Sequence, residues 1–181
     1  MLFRSGMFII KLIADKNSRK LLGVQVLGSG AVDKVTDVGV VALTMGATID
    51  QLQNMDMAYA PPFSTAIHPF VTAINVLKNK LEGKMDSMTP AEFMQGKAEG
   101  YRIVDAALMP SISGAPYVDL NTVTGEVKGL GKEEKLLLIC NKGKRAYLLQ
   151  NRLRFFGYTN TKVLEGGLAV NVMPKQSGQV T

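Results

Sequence analysis

The residue types best suited to chemistry lie together at 136–146, LLLICNKGKRA: four apolar residues, the only cysteine, then a short turn with Gly143 and three cations, Lys142, Lys144 and Arg145. The thiolate is the reactive form of cysteine, and it is favoured where positive charge and free backbone N–H groups surround the sulfur. In CxxGxR, Gly143 permits close backbone approach. A helix opening after it would aim its N-terminus at Cys140, stabilising an anion there by about 1–2 kcal/mol in a partly buried site. A thiolate or persulfide would be well held. The competing role of a lone cysteine is a small buried hydrophobe at the end of a core strand. Against it, three cations in a run of five residues have no packing purpose beside a core thiol.

The elements that must position this loop follow from pattern. Leu136–Cys140 is a buried strand, and 145–156 an amphipathic helix with Leu148, Leu149, Leu153 and Phe156 inward, stopped by Gly157. Thr161–Leu164 is the last strand, closed by Gly166-Gly167. Upstream, Thr89, Pro90 and Glu92 form a capping box that opens a helix to about Lys97. The strand 101–107 carries Asp105 near its C-terminal end. Helices alternating with strands argue an α/β unit with a mostly parallel sheet, whose ligands sit beyond the carboxyl ends of the strands. That rule puts Cys140 and Asp105 on one rim.

The first half reads differently. Residues 7–27 hold two apolar runs joined by a polar turn with Asn17-Ser18 at the tip, a β-hairpin signal. Asp33–Met45 has helical spacing, with Val35, Val38, Val41, Ala42 and Met45 inward and Gly46 as stop. A short helix is expected from Thr48 to Asn54. Tyr59–Phe63 is extended because consecutive prolines disfavour helix, and a helix follows Ser64 as far as Lys80. The polar stretch 84–88 reads as a linker between two domains.

The totals narrow the class. The chain has 181 residues with 46% hydrophobic and 20% charged, ordinary for globular domains, and no apolar run approaches the ~20 residues of a membrane span. Its net charge of +6 is scattered along the sequence rather than gathered with aromatics, which argues against nucleic acid. One cysteine excludes an internal disulfide and a cysteine-based metal cluster, and suits a reducing, cytoplasmic setting. The opening MLFRSGMFIIKLIADK has no small-residue cleavage site and reads as a strand rather than a leader.

Strand, CxxGxR loop and helix, followed by GYTNTKVLEGG at 157–167, resemble a single-domain rhodanese. The resemblance implies that Cys140 carries sulfane sulfur as a persulfide, with Arg145 beside it as a catalytic group. It also implies that Asn141, Lys142, Gly143 and Lys144 cradle the sulfur and bind a small sulfur-containing or thiol substrate. Asp105 is a further candidate. Where the family has an arginine and acidic residues after that aspartate, this chain has AALMPSISGA, a shorter and uncharged wall.

The first half, LLGVQVLGSGAVDKVTDVGVVALTMGATIDQL with MAYAPPFSTAIHP, is similar to the dimerisation domain of pyridine nucleotide-disulfide oxidoreductases of the coenzyme A-disulfide reductase and NADH oxidase types. Some members of that group carry a rhodanese domain in the same order. The resemblance implies a homodimer through residues 1–83, with Tyr59 reaching towards a partner's active site. It also implies flavin domains, using FAD and NAD(P)H, outside this chain. LGSGAVDK lacks the parallel strand and ribose-binding acid of a dinucleotide fingerprint, so no cofactor is expected in this chain itself. His68-Pro69 stands near the place of an acid–base histidine in a related branch, but without an acidic partner at that spacing; a capping or surface histidine is the alternative.

The expected fold is thus an α+β interface (dimerisation) domain, 1–83, followed by a linker, 84–88, an α/β rhodanese-like domain with a mostly parallel sheet, 89–174, and a tail, 175–181. The expected function is the C-terminal part of a flavin-dependent disulfide or persulfide reductase with sulfur transfer through Cys140. The alternative is a non-catalytic dimerisation and docking module with a degenerate rhodanese fold.

Overall fold

A computed structural model describes residues 7–60 and 64–173. The chain divides into two compact units, Met1–Gly83 and Lys84–Thr181. The expected tail at 175–181 and the Pro61–Phe63 part of the extended segment lie outside the described residues.

In the first unit, β1 (Phe8–Ala14) and β2 (Leu21–Gly28) form the antiparallel hairpin, with Lys11 opposite Gln25. The helix α1 (Val32–Thr44) packs on it, and α2 (Ile49–Gln53) and α3 (Pro69–Leu81) complete the core around Leu21, Ile49, Phe70 and Ile74. Thr48 and Gln51 form a reciprocal capping box at α2. The buried face of α1 corrects the sequence expectation. Val35, Gly39 and Ala42 are buried, whereas Val41 and Met45 are 63% and 77% exposed. The buried stripe is turned towards Gly39 and away from Val41 and Met45, and Gly39 takes its centre because Val24 lies against it so closely that a Cβ would meet its methyls at 2.9 Å.

In the second unit, four parallel strands lie in the order β3-β6-β5-β4: β3 (Ser87–Met88), β4 (Arg102–Asp105), β5 (Leu136–Ile139) and β6 (Thr161–Leu164). All four residues of β5 are fully buried, as an interior parallel strand covered on both faces requires. Residues 84–88 are not a featureless connection: Met85 is buried, and Ser87 and Met88 pair with Val163 and Leu164 at the sheet edge. The helix α4 (Pro90–Met94) begins with the Thr89/Glu92 capping box and closes before the expected Lys97.

The helix α5 (Lys144–Phe155) packs on the sheet through Ala146, Leu149, Gln150 and Leu153. Leu148, expected inward, is 41% exposed, and the fully buried Gln150 was not foreseen among the inward residues. The Gln150 Nε2 donates to the carbonyls of Asp86 and Thr161, both at 2.8 Å, and its Oε1 accepts from the Asp86 N–H at 3.2 Å. One amide thereby ties α5 to the chain entering β3 and to the first residue of β6.

Gln150→Ala is expected to destabilise the second unit by about 2–4 kcal/mol, since it leaves buried backbone groups without partners and a void behind. Denaturant titration followed by circular dichroism measures this, and a loss under 1 kcal/mol would show that the staple is redundant.

Candidate active site

The site is built where β4 and β5 end side by side. Cys140 follows the last residue of β5 and is 3% exposed. Gly143 takes φ 89° and stands at the N-cap of α5, so the chain reverses into the helix directly behind the sulfur. The Ala146 N–H, in the first turn of α5, donates to Sγ at 3.4 Å. Among the described residues, the N–H groups of Lys142, Gly143, Lys144 and Arg145 donate to no backbone carbonyl, as the first turn of a helix requires. The loop thus offers a set of unclaimed donors beside a thiol. Asn141, Lys142 and Lys144 are exposed, and Gly143 is buried.

A second loop holds the first in place. Gly166 and the 3-10 turn Gly167–Ala169 follow β6, and the Leu168 and Ala169 N–H groups donate to the carbonyls of Cys140 (3.0 Å) and Asn141 (2.9 Å). The approach is tight: a Cβ on Gly167 would lie 1.9 Å from the Cys140 carbonyl oxygen. With those two carbonyls fixed, the peptide planes after them are fixed as well.

Asp105 is fully buried at the end of β4. Its carboxylate accepts from the N–H groups of Ala107, Ser111 and Ile112 and from the Ser111 hydroxyl. It therefore shapes the 106–112 wall from inside, with its lone pairs committed to the chain. Arg145, expected beside the sulfur, directs its guanidinium to that same wall: Nη2 donates to Asp119 Oδ1 at 2.9 Å and Nε to the Ala106 carbonyl at 3.3 Å. Asp119 and Ser111 carry no signal in the sequence that would have singled them out, because their partners are 26 and 6 residues away.

The structure brings Cys140, the 141–145 loop and Asp105 into one neighbourhood of the second unit. Tyr59 belongs to the first unit and is 59% exposed. His68 is the N-cap of α3: its Nδ1 accepts from the Phe70 N–H at 3.3 Å, which requires the neutral ring. Burial lowers the pKa of His68 from the ordinary 6.5. At α4, the Thr89 N–H and hydroxyl lower the Glu92 pKa to about 2. No group of histidine, cysteine and carboxylates suited to a metal ion occurs among the described residues.

A sequence model of the pyridine nucleotide-disulphide oxidoreductase dimerisation domain matches residues 4–70, and one of the rhodanese-like domain matches residues 73–170, over half of the chain. The chain belongs to the rhodanese-like domain family. Its first unit is a pyridine nucleotide-disulphide oxidoreductase dimerisation domain, so an α+β domain precedes an α/β rhodanese-like domain. The rhodanese match starts inside α3, whereas the compact unit starts at Lys84, after the helix has ended.

Among curated relatives, the NAD(P)H coenzyme A polysulfide/persulfide reductase of Pyrococcus horikoshii is 36% identical over 69 residues, 38% of this chain and 15% of that protein. The coenzyme A disulfide reductase of Staphylococcus epidermidis is 38% identical over 60 residues, 33% of this chain and 13% of that protein. The solved NAD-dependent persulfide reductase of A. fulgidus is 30% identical, with a TM-score of 0.79 over 90% of this chain and 30% of that one. The reduced Bacillus anthracis CoADR-RHD is 26% identical, with a TM-score of 0.83 over 93% of this chain and 31% of that one. This chain therefore spans about a seventh of the curated relatives' length and under a third of the solved ones.

Two outcomes test the site's construction. Gly167→Ala forces a methyl into the Cys140 carbonyl and should cost more than about 3 kcal/mol in the second unit, because the backbone must move; a thermal melt within a few degrees of wild type would contradict the packing. The folded-state His68 pKa is depressed, so its stabilising contribution is complete above 6.5 and is lost as pH falls through the lowered value. His68→Asn keeps a capping side chain without a titration. Denaturation at pH 7.5 and 5.5 should show wild type losing stability relative to His68→Asn at the lower pH; parallel changes would remove the capping role.

Proposed function

We propose that the chain is the dimerisation and sulfur-carrying portion of a flavin- and NAD(P)H-dependent reductase of coenzyme A disulfides or persulfides, in which Cys140 takes up sulfane sulfur as a persulfide. The observation that carries the reading is the Ala146 N–H at Sγ together with the unclaimed amides of the turn before it. The relatives' activities on coenzyme A disulfides, polysulfides and persulfides support it.

In this reading the Cys140 thiolate attacks the outer sulfur of a donor R–S–S⁻. A bond forms between Sγ and that sulfur, the donor's S–S bond breaks, and R–S⁻ leaves with the electron pair and takes a proton from water. An acceptor thiolate then attacks the same outer sulfur, and Cys140 departs as thiolate towards the N-terminus of α5. No net oxidation occurs at Cys140. Amides and helix dipole supply the field that holds the anion, while exposed Lys142 and Lys144 attract anionic donors. Asp105 and Arg145 act here as positioning residues, the first shaping the wall loop and the second fastening the first turn of α5 to it.

The Gly28-Ser29-Gly30 segment does not fit a dinucleotide-binding turn. Gly28-Ser29-Gly30 joins a strand to a helix, but β2 is half of an antiparallel hairpin and starts no parallel βαβ unit. Reduction is therefore assigned to domains other than these two units. Pairing of two copies through residues 1–83 belongs to the same reading, with exposed Leu22, Leu27, Val41 and Met45 as apolar surface to cover. No helix among the described residues is long and apolar enough to cross a membrane, and a cytoplasmic setting is part of the proposal.

The burial of Cys140 favours a second reading, a docking module without turnover. Incubation with glutathione persulfide followed by intact-mass measurement separates the two. Wild type should gain one sulfur atom and pass it to cyanide or a thiol, and Cys140→Ser should do neither; equal behaviour of both proteins would leave only the docking module.

A further inference from the structure

Asn171 lies two residues beyond the 3-10 turn that holds the cysteine loop. It is 6% exposed, and its Nδ2 donates to the carbonyls of Glu165 and Gly167, both at 2.8 Å. Its own N–H also donates to the Gly167 carbonyl, at 3.1 Å. These bonds close residues 165–171 into a ring. The ring contains the two amides, Leu168 and Ala169, that fix the Cys140 and Asn141 carbonyls. The side-chain oxygen of Asn171, in contrast, is buried without a partner.

That orphan matters to the argument. A buried acceptor without a donor is a cost to stability, so the amide is a poor choice of side chain if filling space under the turn were its only duty. What the amide supplies, and an apolar side chain would not, is a pair of donors converging on two carbonyls two residues apart. The Glu165 carbonyl sits at the exit of β6 and the Gly167 carbonyl inside the turn, so the donors set the pitch of the chain between them. The conformation they impose is demanding: Gly166 and Gly167 have φ 73° and 52°, and the Gly166 Cα faces the Val170 side chain too closely for any Cβ.

From this chain of contacts we infer that Asn171 is a positioning residue for the sulfur site. It holds the Gly167–Ala169 turn in the one register that presents Leu168 and Ala169 N–H groups to the Cys140 and Asn141 carbonyls. Those carbonyls, once held, fix the peptide planes that lead into the turn before α5, whose Ala146 N–H donates to the sulfur. The inference rests on the proposed sulfur-carrier role of Cys140 for its functional consequence, and on hydrogen bonds alone for its structural one.

Asn171→Leu tests it in the full chain. Leucine keeps the branching but is larger, and it removes the orphan oxygen along with both donors, leaving the Glu165 carbonyl without the amide's hydrogen bond; the melting temperature should fall by no more than about 10 °C and the variant stay folded at the assay temperature. Sulfur loading from glutathione persulfide should nevertheless slow by about 10- to 100-fold, the size of effect that misplacement of reacting groups produces. Hydrogen exchange of the Leu168 and Ala169 amides, followed by NMR, should quicken at least 10-fold relative to β5 amides. A filler role predicts that loading follows stability and that the exchange of these two amides stays unchanged. Wild-type exchange at Leu168 and Ala169 in the variant overturns the inference, whatever loading does. Should wild type itself take up no sulfur, the carrier reading falls while the exchange measurement still decides the positioning role. If Asn171→Leu does not fold, Asn171→Ala is measured in the same two ways with the same outcomes.

Discussion

Everything at the sulfur site depends on two hydrogen bonds between loops, from the Leu168 and Ala169 N–H groups to the Cys140 and Asn141 carbonyls. A peptide plane has a carbonyl on one edge and an N–H on the other, so anchoring the carbonyls of residues 140 and 141 orients the N–H groups of residues 141 and 142 in the opposite direction. The reversal at Gly143 then brings the first turn of α5 behind Sγ. Backbone dipoles make up the cradle, and β6 delivers the loop that aligns them. The parallel order β6-β5-β4 is what places the exits of these three strands next to each other. Parallel strands all present their carboxyl ends to one rim, so the thiol, its clamp and Asp105 meet without any long loop having to reach across.

The wall opposite the sulfur shows a different use of charge from the one suggested by the cations of the cysteine loop. Of the three, Arg145 is bonded to Asp119 and the Ala106 carbonyl, while Lys142 and Lys144 stay exposed. The uncharged run AALMPSISGA keeps its shape through one buried carboxylate, Asp105, which gathers the donors of Ala107, Ser111 and Ile112. A carboxylate so placed works as a local template: it gathers the backbone donors of a loop that has no ladder of its own. The shortened wall thus remains ordered without the arginine and acidic residues expected of its family. Arg145 couples this wall to the helix that bears the cradle, so the two sides of the site are mechanically one.

The sequence made legible whatever depends on near neighbours. The hairpin at β1-β2, the capping box at Thr89, and the strand–CxxGxR–helix order all rest on residues within a few positions of each other, where spacing carries the signal. What stayed hidden depends on distant partners. Gln150 reads as a surface residue of a helix until Asp86 and Thr161 are known to converge on it. Arg145 reads as a ligand-facing cation because nothing local reveals Asp119. The two-residue strand Ser87–Met88 has no periodicity to detect, and exists because β6 offers it an edge. On α1 the buried stripe is turned towards Gly39, where Val24 of the hairpin presses, a contact that the helix's own spacing does not reveal. The same limit hid Asn171, whose amide has meaning only beside the Gly166-Gly167 turn.

A cysteine with 3% exposure is an awkward nucleophile, yet burial and sulfur transfer are compatible in the geometry of a persulfide. An S–S bond is about 2 Å long, so a sulfane sulfur attached to Sγ moves the reactive atom outward by that distance while the thiol stays where it is. The charge of a persulfide resides mainly on that outer atom. On the proposed carrier reading that charge would sit beyond the single Ala146 donor, and the amides of residues 142–145, which donate to no backbone carbonyl, would be available to it. Burial of Sγ would, on the same proposed reading, have two effects: it would keep the resting thiol from bulk oxidants, which react with exposed thiolates, and it would reserve the turn's donors for the loaded state. A carrier needs that asymmetry, because its persulfide must be held more firmly than its thiol in order to form, yet remain open to a second thiolate in order to discharge.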